Sequence, residues 1–161
     1  MKKLDLYVLV GLPASGKSTW VDKKISEDGR EFVLLSTDVY IENIAKKCGT
    51  SYNIEFKDNV KDATRAMYDT LRYAKNDKNV IWDQTNLTVK KRKAILSQFS
   101  KDIYNVYAVI FKLDDDELMA RLNKRSELED KSIPQHVMDS MKKSYVEPTL
   151  DEGFDNIFYN E

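Results

Sequence analysis

The sequence predicts an α/β domain built on a mainly parallel sheet with helices on both faces. Apolar runs of strand length alternate with stretches of helical periodicity from the first residues to the last. The first run, Leu4–Val10, is almost continuously apolar rather than alternating, as a strand covered on both faces must be. The 161 residues contain no internal repeat, low-complexity tract or linker, so residues 1–161 are read as one domain with one sizeable core.

Taken in order, strand 4–10 ends at Gly11 and leads through a loop into a helix reaching about Lys24. A second strand, 31–35, ends at Ser36-Thr37-Asp38, and a short helix, about 39–47, stops at Cys48-Gly49. The longest helix is expected over about 55–74, where Phe56, Val60, Ala63, Met67, Leu71 and Ala74 form one apolar stripe. A third strand, 79–83, precedes a helix capped by Thr88 and running to about Phe99. The fourth strand covers 104–112, and Asp114–Glu117 open a helix with acids where its dipole favours them. The polar stretch 126–132 is expected to interrupt that helix before Pro134 begins another. Strand 154–159 closes the chain.

Composition excludes several functions. Charged residues make up 33% and hydrophobic residues 42%, and the formal net charge is −1, so a surface coated with basic residues for nucleic acid is not expected. One cysteine and one histidine cannot build a metal cluster, so any metal must be held by oxygen. The lone Cys48 has no internal disulfide partner, which points to a reducing cytoplasm. The N-terminal apolar run is short, contains Asp5 and lacks a cleavage site, so neither a signal peptide nor a membrane span is expected.

Gly11-Leu12-Pro13-Ala14-Ser15-Gly16-Lys17-Ser18 fits the pattern G-x-x-x-x-G-K-[ST] between a strand and a helix. Glycines let backbone N–H groups converge on anionic oxygens, and the following helix adds the positive end of its dipole. The motif assigns ATP to the loop, with Gly11, Pro13, Ala14, Ser15, Gly16, Lys17, Ser18 and Thr19 as nucleotide contacts. Lys17 reaches the β- and γ-phosphates, and the Ser18 hydroxyl ligates Mg²⁺.

Other groups admit two readings each. Asp38, past the second strand, is either a base for an attacking hydroxyl in the crevice at the strand ends or the cap of the next helix. Asp83 ends the third strand, where a carboxylate holds the Mg²⁺ shell, or else it bonds nearby backbone. Arg121 and Arg125 share a helix face and belong either to a lid over the phosphates or to a solvated helix end. The run Lys90-Lys91-Arg92-Lys93 either tracks a nucleic-acid backbone or is a solvated face. His136 is assigned no role.

The phosphate loop, Ser36-Thr37-Asp38, Asp83-Gln84-Thr85-Asn86 and Arg121-Leu122-Asn123-Lys124-Arg125 together resemble the kinase domain of bacteriophage-type polynucleotide 5′-kinases, among AAA_33-like ATP-binding proteins. Ile133-Pro134, Met138, Met141, Tyr145 and Glu152-Gly153-Phe154 extend the likeness over nearly the whole chain. The resemblance implies a P-loop kinase fold, a five-stranded sheet and a small helical lid at about 121–134. It also implies catalytic roles for Lys17, Asp38 as base and Arg125 as the lid arginine, with Arg121 in the nucleotide site and Ser18 and Asp83 at the metal. The implied reaction moves the γ-phosphoryl group of ATP to a hydroxyl, with a polynucleotide 5′-OH end as leading acceptor. A nucleoside or other small alcohol is a second acceptor class. Asp83-Gln84-Thr85-Asn86 and Trp20 also resemble the nucleotide-binding module of heterogeneous nuclear ribonucleoprotein U, which implies an ATPase-like module whose only acceptor is water.

One position departs from the kinase pattern. Where those kinases carry an acceptor-side arginine, three residues after the catalytic aspartate, this chain has Ile41. One turn beyond Asp38, Ile41 is expected on the same face, so Ile41→Arg is expected to lower the acceptor KM. Lys90–Lys93, or Arg65 and Arg72, are the candidates to compensate for the missing contact.

Overall fold

Strand β1 (Leu4–Gly11) lies at the centre of a five-stranded sheet with order β2-β3-β1-β4-β5. Its neighbours are β3 (Asn79–Trp82) and β4 (Tyr104–Phe111); β2 (Phe32–Leu35) and β5 (Asn156–Asn160) form the edges. Every pairing is parallel, and β1 runs in register with β4 from Leu4 opposite Tyr104 to Gly11 opposite Phe111. The computed structural model describes residues 2–129 and 131–160, so both terminal residues of the expected 1–161 domain and Asp130 of the expected lid at about 121–134 lie outside the described residues.

Successive residues of β1 point to opposite faces, so each face receives its own apolar layer. Leu6, Val8 and Val10 pack with Trp82 against Met67, Leu71 and Ala74 of α3 (Tyr52–Ala74) and Ile95 of α4 (Val89–Leu96). Tyr7 and Leu9 pack with Ile81 and Phe111 against Val21 and Trp20 of α1 (Lys17–Asp28). A sheet sandwiched in this way exposes chemistry only at its strand ends. The remaining helices are α2 (Thr37–Cys48), α5 (Asp115–Glu129) and α6 (Gln135–Ser144).

Several boundaries differ from the expected ones for identifiable reasons. Helix α3 begins at Tyr52, three residues ahead of the expected start, because the Ser51 hydroxyl accepts from the Ile54 N–H at 3.3 Å. Phe56 is 45% exposed and leaves the stripe, stacking instead on Tyr52 at 5.8 Å. Residues 126–129 do not interrupt α5; polar residues without an apolar pattern can still continue a solvated helix.

The basic run is corrected at Arg92, which is fully buried. Its guanidinium forks onto Glu152 at 2.8 and 3.1 Å and donates to the Asn86 carbonyl at 3.0 Å. A buried charge needs such pairing, so Arg92 can neither track a nucleic acid nor belong to a solvated face. Arg65 and Arg72 remain exposed, each beside an aspartate three residues earlier on its own helix, Asp62 and Asp69.

Ile41 is fully buried too, on the inner side of α2. The spacing argument placed it one turn beyond Asp38, but the residue turns into the core, and Val39 and Glu42 line the open face instead. An arginine there would bury an unpaired charge. Ile41→Arg should therefore cost several kcal/mol of stability, read as a collapsed thermal midpoint, and should not improve acceptor binding.

Candidate functional site

A cavity of about 480 Å³ opens above the carboxyl ends of β1, β2 and β3. It lies where ligands bind in open α/β sheets and within the usual size of a small-molecule site. Its floor is the phosphate loop. Gly11 donates to the Thr85 carbonyl at 3.0 Å, which ties the start of the loop to the segment after β3. A Cβ on Gly11 would stand 2.7 Å from Ser15 Oγ and 2.9 Å from Phe111 Cβ, so only glycine fits. Gly16 and Ala14 both take positive φ, 107° and 65°, curling the chain before α1. Ser15 Oγ is buried and has no hydrogen-bond partner among the described residues, an orphan polar atom in a loop shaped for anions.

Lys17 lies across this loop and donates to the Gly11 and Leu12 carbonyls at 2.9 and 2.8 Å. Burial lowers its ammonium from 10.5 to about 8, opposed by the charges of Asp83 and Asp38 and assisted by Arg125. The folded value lies below the unfolded one, so between about pH 8 and 10.5 the unfolded chain holds more protons and ligand-free stability rises with pH. Lys17→Met removes that dependence. Its thermal midpoint relative to the parent protein should be most favourable below pH 8 and decline toward pH 10.5. A difference that stays constant across that range would contradict the assignment.

Ser36, not Asp38, caps α2, its hydroxyl accepting from the Val39 N–H at 3.4 Å. Asp38 sits in the first turn and faces the cavity, where the Tyr52 phenol donates to its Oδ1 at 2.5 Å. Burial raises the Tyr52 phenol well above its ordinary value, and the charge and hydrogen bond of Asp38 add to the shift. Asp83 follows β3 and shares the cavity; burial raises its carboxyl to about 6, with Lys17 opposing and Asp38 and Glu42 assisting. Ser18 and Asp83 thus offer oxygen donors to one space, and no group of three His, Cys, Asp or Glu side chains suited to a metal occurs among the described residues. Two protein oxygens completed by phosphate and water are the ordinary environment of Mg²⁺, so these donors fit it.

The opposite wall belongs to α5. Arg121 is paired with Glu117 at 2.9 Å, and its guanidinium lies 3.6 Å from where a Gly16 Cβ would stand. Arg125, one turn on, lines the same cavity close enough to Lys17 and Tyr52 to affect both electrostatically. Beyond α5, Lys131 pairs with Glu42 and lies 4.5 Å over the Tyr52 ring, and Asn53 and Ser132 exchange hydrogen bonds at 3.0 and 3.1 Å.

The cavity therefore gathers Pro13, Ala14, Gly16, Lys17, Ser18, Thr19, Asp38, Asp83, Arg121 and Arg125; Gly11 and Ser15 shape the loop from beneath, and His136 stands apart, exposed on α6. Sequence reasoning missed Tyr52, Glu42 and Lys131. Glu42 was accessible from its place one turn after Asp38. Tyr52 was not, because only the packing of α3 on α2 brings it to Asp38.

The profile of the AAA_33 family, described as an AAA domain, matches residues 6–148. The chain belongs to this family. Over 159 residues, 95% of this chain and 32% of the relative, it is 30% identical to the bifunctional polynucleotide phosphatase/kinase of Schizosaccharomyces pombe. Heterogeneous nuclear ribonucleoprotein U-like protein 2 of Homo sapiens shares 24% identity over 169 residues, 100% of this chain and 22% of that protein. The chain thus spans a third or less of these curated relatives. Among solved structures, the Pnkp1/Rnl/Hen1 RNA repair complex has a chain with TM-score 0.65 and 24% identity, covering 89% of this chain and 44% of that one. A fungal RNA kinase matches with TM-score 0.58 and 17% identity over 100% of this chain and 76% of that one. The fold of this AAA_33 member is the P-loop kinase fold, a nucleotide-binding architecture. No described helix is long and apolar enough to cross a membrane.

Proposed function

We propose that the chain is an ATP- and Mg²⁺-dependent kinase that transfers the γ-phosphoryl group to the 5′-OH end of a polynucleotide. The observation that carries this reading is the single cavity lined by Lys17, Ser18, Asp38, Asp83, Arg121 and Arg125. The names of the fission-yeast relative and of the RNA kinase and RNA repair structures support the choice of acceptor.

In this mechanism the phosphate loop and Lys17 hold the β- and γ-phosphates in line for attack. Asp38 accepts the proton of the acceptor hydroxyl, and Arg125 stabilises charge on the equatorial oxygens of the group in flight. Arg121 covers the nucleotide from above the loop. Ser18 and Asp83 would hold Mg²⁺, which supplies charge neutralisation on the phosphates when bound.

The test is a side-by-side transfer assay with γ-labelled ATP, a 5′-OH oligonucleotide and a panel of nucleosides. Label should appear on the oligonucleotide and vanish in excess chelator. Label on nucleosides alone would move the assignment to a small-molecule kinase. Release of free phosphate alone would favour the ATPase-like reading suggested by the ribonucleoprotein relative.

A further inference from the structure

Beside the main cavity lies a second one of about 330 Å³, and the two share Gln84 and Thr85 in their walls. Its other walls include Thr88, Lys91, Met141 and Ser144, from the start of α4 and the end of α6. Among the described residues no carboxylate lines it. Lys91 is its only cation among the described residues, and the ammonium has no ion pair or side-chain hydrogen bond with any of them. Its neighbour Arg92 is neutralised by Glu152, while Lys90 and Lys93 are exposed. Burial alone lowers the Lys91 pKa. A half-buried ammonium without a carboxylate partner, facing such a cavity, is placed to pair with an anion that enters it.

We infer that this second cavity is a phosphodiester subsite for the acceptor strand, in which Lys91 contacts a backbone phosphate downstream of the reacting 5′ end. The inference rests on the polynucleotide reading above and extends it. A 5′-OH placed at Asp38 leaves the rest of the strand to depart from the main cavity, and the wall made by Gln84 and Thr85 is shared with the second. Thr88 and Ser144 supply hydroxyls near the phosphate path, and Met141 offers a polarisable surface to a base. The subsite also answers the burial of Ile41: the acceptor cation lies on α4, not α2.

The experiment is an anisotropy titration of a 3′-labelled, 5′-OH trinucleotide in the presence of a non-hydrolysable ATP analogue. Lys91→Met, which keeps the stem and loses the charge, should weaken binding about tenfold and flatten the log–log salt slope by about 0.7. The exposed control Lys90→Met should change neither. Equal affinity and slope for Lys91→Met and the parent protein would overturn the subsite, as would an equal loss in both variants. The transfer assay separates this result from the broader reading. Transfer with no effect of Lys91→Met on binding removes the subsite and leaves the kinase. Lys91-dependent binding without transfer keeps the subsite and removes the kinase. Failure of the parent protein to bind the trinucleotide overturns the subsite, and failure to transfer label as well overturns both.

Discussion

Lys17→Ala should lower the rate of phosphoryl transfer by about three orders of magnitude while leaving the fold intact. The ammonium spans the Gly11 and Leu12 carbonyls, which aims it over the loop floor. In the proposed mechanism, binding ATP would let it exchange neutral carbonyls for charged phosphate oxygens, a stronger partner that gains charge as the bond to the leaving group loosens. Alanine removes that gain and also the desolvation penalty that burial imposes on the lysine. The variant should therefore melt near the parent protein. Single-turnover transfer from labelled ATP, with circular dichroism as the fold control, checks both statements. A folded variant with an unchanged rate would remove Lys17 from the mechanism.

Asp38→Asn should reduce transfer by about 10²- to 10⁴-fold with little change in ATP affinity. Asparagine retains an oxygen for the Tyr52 phenol, so the local geometry survives and only the proton-accepting capacity disappears. Because Ser36 holds the capping position, loss of activity in this variant cannot be ascribed to an unravelled α2. Nucleotide affinity and acceptor turnover, measured separately, distinguish a base from a binding group. Near-normal turnover would leave Asp38 as a hydrogen-bond partner for Tyr52 and nothing more.

Local signals made much of the architecture legible. The apolar runs of β1, β3 and β4, the glycine pattern of the phosphate loop and the acids opening α5 are written in contiguous residues, and the sheet follows from their alternation. What failed to show depends on contacts between distant segments. Ile41 and Arg92 both sit in patterns that read as surface, yet α2 turns one into the core and Glu152, 60 residues away, draws in the other. Phe56 matched the stripe of α3 by spacing, but it falls in the first turns, where the half-buried Tyr52 rather than the sheet meets it. The candidate site follows the same rule. Residues at strand ends could be placed from sequence because topology delivers them there, whereas the Tyr52–Asp38 contact needed the angle at which two helices meet.

The segment after α5 is fastened to α2 and α3 by the Lys131–Glu42 pair and by the exchange between Ser132 and Asn53. A lid that begins disordered must surrender its conformational entropy each time a nucleotide arrives, which weakens binding by that amount. In the proposed kinase much of that loss would be taken once, when the chain folds, because these ties fix the segment next to the α5 arginines that line the cavity. The same ties link the segment around Lys131 to the neighbourhood of Asp38 through Glu42 and Tyr52. On the proposed reading, nucleotide and acceptor would then meet a preorganised wall, and discrimination between ligands would fall to shape and charge rather than to the cost of closure.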